Sequence, residues 1–150
     1  MLKEVLHIGI TVSNMEKSLH FYRDILGLNF VGELVMSGEE TDKLFAKECT
    51  SARVCYLNGS SSLQSPPIEL IEFSEIVEQK KQNLFKTGIS EVCFKVENID
   101  AEYERLKKLG VNFLSKPQYF DFAKFGFSKS KAVYFYDTDG IILELIEVIK

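Results

Sequence analysis

Ile68-Glu69-Leu70-Ile71-Glu72-Phe73 is answered near the end of the chain by Leu143-Glu144-Leu145-Ile146-Glu147-Val148. Each stretch sets an acidic residue, Glu69 or Glu144, inside a short apolar run of the kind that forms a buried strand. Alternate side chains of a strand point to opposite faces. A carboxylate at such a position needs a partner, because burying an unpaired charge is expensive. One such glutamate is explained by a sheet edge. Two in matching contexts point to an internal repeat with a shared purpose.

The repeat extends to the start of each half. Residues 7–15, His-Ile-Gly-Ile-Thr-Val-Ser-Asn-Met, align with residues 91–99, Glu-Val-Cys-Phe-Lys-Val-Glu-Asn-Ile, with Val12/Val96 and Asn14/Asn98 identical. Leu-Gly-Leu-Asn-Phe at 26–30 matches Leu-Gly-Val-Asn-Phe at 109–113. Each half is too small to bury much core alone, and two packed together make one domain of ordinary size. The expected organisation is one domain over 1–150: a first module at 1–74, a linker at 75–87 and a second module at 88–150.

Composition fits that reading. The chain has 150 residues, 45% hydrophobic and 27% charged, an ordinary globular balance. A net charge of −4 gives no reason to expect nucleic acid or membrane as a partner. No apolar run approaches the roughly 18 residues of a membrane-spanning helix. The N-terminus has no signal-peptide pattern and reads as a strand. Cys49, Cys55 and Cys93 are odd in number, lack metal-type spacing, and read as reduced thiols of a cytoplasmic protein.

Taken in order, the chain spells the same sequence of elements twice. Val5 to Val12 alternates, with Leu6, Ile8, Ile10 and Val12 on an apolar face and His7, Gly9 and Thr11 on a small polar one. Ser13 or Asn14 can cap a helix over 15–26, which carries Met15, Leu19, Tyr22 and Leu26 at helical spacing and stops at Gly27. Strands follow at 28–36, 53–57 and 68–73, separated by a polar stretch with one helical turn around Leu44 and Phe45, and by a Ser/Gly/Pro loop at 58–67. The linker holds a short amphipathic helix at 75–86. The second half repeats the order: strand 89–96, helix 100–109, strand 111–114, a long aromatic connection at 116–131, then strands 132–136 and 141–149. The connection carries Tyr119, Phe120, Phe122, Phe125 and Phe127 and reads equally as a lid or as packed core. The fold class is α+β, βαβββ twice.

The alternation sets four residues apart. His7 and Glu91 stand opposite the apolar faces of the two first strands, and Glu69 and Glu144 stand on the matching faces of the two last strands. If the two sheets curve into one cup, all four converge within it. One imidazole and three carboxylates buried together repel one another without a cation, and a divalent metal resolves that. Alone, a strand histidine is more often not a ligand and a strand glutamate is more often exposed; the pairing by the repeat raises both. His20, in a helix, reads as a surface or boundary residue.

These pieces resemble the vicinal oxygen chelate superfamily, which includes glyoxalase I, methylmalonyl-CoA epimerase, extradiol dioxygenases and bleomycin-resistance proteins. The resemblance is carried by His7-Ile-Gly-Ile-Thr-Val, by Ser18-Leu-His-Phe-Tyr-Arg-Asp-Ile-Leu-Gly-Leu, by Gly88-Ile-Ser-Glu-Val-Cys-Phe-Lys-Val and by Asp137-Thr-Asp-Gly-Ile-Ile-Leu-Glu-Leu. It covers essentially the whole chain. It implies paired βαβββ modules that form a curved, cup-shaped mixed sheet with helices outside. It also implies metal ligands at His7, Glu69, Glu91 and Glu144. The third of these positions is usually histidine. Glu91 argues against the 2-His-1-carboxylate iron site of dioxygenases, makes the shell more anionic, and opens the choice of ion to Mn²⁺ or Mg²⁺ beside Zn²⁺ and Ni²⁺.

The expected activity is that of a metal-dependent, glyoxalase-like lyase or isomerase. Two adjacent substrate oxygens meet the metal, and Glu69 or Glu144 moves the proton of an enediolate-type step. The alternative is a non-catalytic protein of the same fold that binds or sequesters a small molecule of the antibiotic type. A small-molecule ligand and a homodimer are the expected partners.

Overall fold

The repeated glutamate strands become the second strand of two separate sheets. The computed structural model describes residues 5–59, 67–77 and 80–149. The chain divides into two compact units, Met1–Glu78 and Gln79–Lys150, with the division inside the 75–87 stretch. The fold is α+β. Among the described residues there are two sheets of mixed strand direction, three α-helices and no closed barrel.

In the first unit, β1 (Ile8–Thr11), β2 (Asn29–Met36), β3 (Ala52–Asn58) and β4 (Ile68–Phe73) lie in the order β1-β4-β3-β2. β1 runs parallel to β4 and the other pairs are antiparallel. A parallel neighbour requires a crossover, and α1 (Met15–Leu19) begins it. Asn14 caps α1 by accepting from the Lys17 amide at 3.0 Å. Glu72 of β4 accepts from the Met15 amide at 3.2 Å, which ties the positive end of the helix to the sheet. Met15, Leu19 and Tyr22 are buried beside Ile10, Val12, Ile68 and Leu70. A fully buried leucine such as Leu70 contributes about 1.5–3 kcal/mol.

The second unit repeats the plan. β5 (Val92–Lys95), β6 (Asn112–Phe113), β7 (Gln118–Asp121), β8 (Lys129–Tyr136) and β9 (Ile142–Ile149) form a sheet of order β5-β9-β8-β6, with β7 also on β8. β5 and β9 are parallel. Between β5 and β6, α3 (Ile99–Lys108) is capped by Asn98, which accepts from the Ala101 amide at 2.9 Å, and Glu147 accepts from the Ile99 amide at 2.8 Å. Ile99, Tyr103, Leu106, Val133, Phe135, Leu143 and Leu145 are its core. Gly27 and Gly110 turn the chain after the two helices at φ +81° and +85°, where a side chain would be strained.

Several expectations need correction. The 15–26 helix is α-helical only to Leu19 and continues as a π-helix over His20–Ile25, with the Leu26 amide donating to Phe21, five residues back. Both Phe21 and Tyr22 are buried there. The polar stretch after β2 holds a seven-residue helix, α2 (Glu39–Phe45), not a single turn. No helix forms among the described residues of 75–86; instead the Gln82 side chain accepts from the Ile142 amide at 2.7 Å and binds the Ile89 carbonyl. Leu6 is exposed and lies outside β1, and β5 is shorter than 89–96. Residues 60–66 of the Ser/Gly/Pro loop lie outside the described residues. The 116–131 connection is mostly strand and 3₁₀ turn: β7 and β6 together pair along β8, where the first unit has one long strand, β2. Its five aromatics are all exposed, which removes the packed-core reading.

Candidate functional site

Pairing along the first sheet brings three positions into line. Gly9 of β1 and Tyr56 of β3 both sit opposite Glu69 of β4. The Tyr56 hydroxyl donates to Glu69 Oε1 at 2.8 Å. His7, just ahead of β1, places Nε2 3.2 Å from Glu69 Oε2. The carboxylate lies over Gly9, where a Cβ would stand 3.4 Å from Oε2, in van der Waals contact. Glu69 is 9% exposed, so each of these partners offsets the cost of removing its carboxylate from water. The His7 and Tyr56 rings are tilted at 57° with centroids 6.4 Å apart.

The second sheet repeats the register with different side chains. Cys93 of β5 and Tyr134 of β8 sit opposite Glu144 of β9. Burial pushes the Glu144 carboxyl above its usual range; the Cys93 thiol pulls the other way, and the charge of Glu91 pushes up again. The Cys93 thiol is pushed up to about 12 by removal from water on its inner side, by the neighbouring Glu144 carboxylate, and by the charges of Glu144 and Glu91. Cys93 is exposed by area, so the crowding is one-sided. A thiol so raised remains protonated near neutral pH. Tyr134 is raised first by burial and then by Glu144, Glu91 and Cys93, whereas Tyr56 is raised first by its bond to Glu69.

The structure therefore brings His7 to Glu69 and sets Glu91 within electrostatic reach of Glu144. His20 is exposed and meets Asp24 at 3.1 Å, as expected of a surface residue. Among the described residues, no three His, Cys, Asp or Glu side chains are grouped to hold a metal ion. What the first unit does offer is an imidazole nitrogen beside a buried carboxylate oxygen whose other oxygen is already held. That donor pair suits a borderline divalent cation such as Zn²⁺, Ni²⁺ or Mn²⁺. The carboxylates of the second unit are hard oxygen donors, and Cys93 would join as a ligand only on losing its proton.

Residues 4–145 match the model of the Glyoxalase/Bleomycin resistance protein/Dioxygenase superfamily. The chain belongs to that superfamily. Metallothiol transferase FosB of Staphylococcus epidermidis is 32% identical over 148 residues, covering 97% of this chain and 84% of that protein. Mitochondrial methylmalonyl-CoA epimerase of Mus musculus is 28% identical over 141 residues, covering 93% and 70%. Among solved structures, a glyoxalase family protein from Bacillus cereus aligns with a TM-score of 0.83 at 21% identity, covering 100% of this chain and 97% of the other. Glyoxalase I of Leishmania major aligns at 0.65 and 20%, covering 97% and 87%. At those identities the two structures show the fold alone. The relatives include proteins named as enzymes, and no helix among the described residues of this glyoxalase-superfamily chain is long and apolar enough to cross a membrane.

Four residues of this neighbourhood escape a reading of the sequence alone: Tyr56, Tyr134, Gly9 and Cys93. A signal for two of them exists, since Gly9 and Cys93 occupy the same place in the aligned 7–15 and 91–99 stretches. The tyrosines stand in strands whose spacing to the glutamates differs between halves, so only pairing across the sheet aligns them.

Proposed function

We propose that the chain is a metal-dependent glyoxalase-like lyase or isomerase that acts on a small substrate with adjacent oxygens through an enediolate-type proton transfer. The observation that carries this reading is the His7–Glu69 pair, a nitrogen and a carboxylate oxygen 3.2 Å apart with Glu69 buried. The proposed ligands are His7, Glu69, Glu91 and Glu144, and the ion is Zn²⁺, Ni²⁺, Mn²⁺ or Mg²⁺. When bound, such an ion supplies Lewis acidity that polarises a substrate carbonyl. Glu69 or Glu144 takes the proton from the neighbouring carbon and returns it. Glu144 suits the second task, because burial and the charge of Glu91 make its carboxylate more basic than usual. Tyr56 keeps the Glu69 carboxylate aimed through its hydrogen bond. A homodimer in the cytoplasm is the proposed setting.

The relatives named metallothiol transferase favour a second reading, in which the same residues serve thiol transfer to a small molecule. Incubation of the metal-loaded chain with small 2-oxo and 2-hydroxy carbonyl compounds and a low-molecular-weight thiol in D₂O separates the two. Metal-dependent entry of deuterium at the carbon beside the carbonyl, abolished by a chelator, is the expected result. Thiol adduct formation without deuterium exchange would move the assignment to transfer. Neither reaction, with tight retention of an aromatic compound, would leave a binding protein.

A further inference from the structure

We infer that Tyr56 is a positioning residue that decides which oxygen of Glu69 is offered to a metal ion. The inference rests on the reading of Glu69 as a ligand and adds the device that orients it. A glutamate carboxylate turns about its last torsion with little preference. Here two neighbours, Tyr56 and His7, restrict that freedom. The Tyr56 hydroxyl holds Oε1 at 2.8 Å from directly across the β3–β4 ladder. Oε2 is left facing His7 Nε2 at 3.2 Å. The carboxylate lies over Gly9, close enough that a Cβ would touch Oε2 at 3.4 Å. With Oε1 occupied as a hydrogen-bond acceptor, the free lone pairs of Oε2 and the imidazole nitrogen present one donor pair in one orientation. Outer partners of this kind raise ligand basicity and set ligand geometry.

The second unit supplies an internal control. Tyr134 holds the register position of Tyr56, yet it feels Glu144 through its charge and not through a hydrogen bond. The orienting role assigned to Tyr56 therefore does not extend to Tyr134.

The experiment titrates Co²⁺ into the full chain and into Tyr56→Phe, Tyr134→Phe and Glu69→Gln. Visible d–d absorption reports ligand geometry and circular dichroism reports the fold. Tyr56→Phe is expected to weaken Co²⁺ binding by roughly 10–100-fold and to change the band shape, with the fold kept. Tyr134→Phe is expected to bind as the unaltered chain does. Tyr56→Met, which also lacks a donor, repeats the test if the phenylalanine chain does not fold. Unchanged affinity and spectrum in Tyr56→Phe, with binding lost in Glu69→Gln, would overturn the positioning role and leave Glu69 a ligand. Equal losses in both tyrosine variants would also overturn it. Unchanged binding in Glu69→Gln would remove the metal reading beneath it, and this inference with it.

Discussion

The ladder around Glu69 and the ladder around Glu144 have the same backbone and opposite electrostatics. In each, a buried glutamate strand lies between a parallel first strand and an antiparallel strand carrying a tyrosine. The first has Gly9 beneath the carboxylate and His7 beside it, so Glu69 meets one phenol donor and an imidazole nitrogen. The second has Cys93 and Glu91 at those places, so Glu144 meets a thiol and a like charge. Different residues at and just ahead of the first strand thus leave one carboxylate hydrogen-bonded and the other beside a like charge. Duplicated scaffolds diverge most cheaply at such points, because the strands that place the group need not change.

The comparison breaks most visibly at the acidic residues themselves. Under the proposed function, His7→Ala, Glu69→Ala and Glu144→Ala each weaken uptake of Mn²⁺ or Zn²⁺ by more than the roughly 10–100-fold that loss of an outer partner costs. Calorimetric titration of the three variants checks this. Retained affinity in Glu144→Ala, with loss in the other two, would confine the metal to the first unit. Glu91→Ala should lose less than any of them, since water can replace one of three carboxylates.

A smaller change makes the second ladder resemble the first. Glu91→His removes the like charge beside Glu144 and adds an imidazole. Affinity for Zn²⁺ or Ni²⁺ relative to Mg²⁺ is expected to rise on the order of tenfold. Competition between the ions, read by equilibrium dialysis, decides it; an unchanged order of preference would show that Glu91 points away from the ion.

The raised carboxyl of Glu144 gives a pH signature that needs no metal. Its folded value lies above the ordinary 4.5, so the folded chain binds this proton more readily than the unfolded chain. The associated stability is present below 4.5 and is lost as pH rises through the folded value. In chelator, melting of the unaltered chain should show this fall as pH rises above 4.5. Glu144→Gln should remove it and melt higher at neutral pH. A variant with the same pH profile as the unaltered chain would mean that Glu144 carries no such burden.

The smallest effect tests where the two units agree. Glu72→Ala and Glu147→Ala each remove an acceptor from a helix N-terminus and should cost about 1 kcal/mol. The second should cost more, because its bond is 2.8 Å against 3.2 Å. Chemical denaturation resolves the difference; equal losses would assign both to charge and not to the bond.

What could be read from the sequence by itself was whatever depends on local period and on repetition. Short apolar runs at 68–73 and 143–148 marked the strands, Asn14 and Asn98 marked the helix starts, and the repeat joined them into βαβββ units. Glu69 and Glu144 stood out because a charge inside an apolar run is costly wherever the chain goes. The π-turn at His20–Ile25 was not legible, since one widened turn barely disturbs the spacing of Met15, Leu19 and Tyr22. β6 was legible as the strand at 111–114, but β7 was not, because aromatic residues serve an exposed strand as readily as a loop. Tertiary structure alone decided who holds each carboxylate. Tyr56 and Glu69, thirteen positions apart in sequence, are neighbours only because β3 and β4 pair in one register, and a slip by one residue would turn the phenol to the other face. Cross-strand register is a property of the whole sheet, fixed by packing on both faces, and no single stretch of sequence contains it.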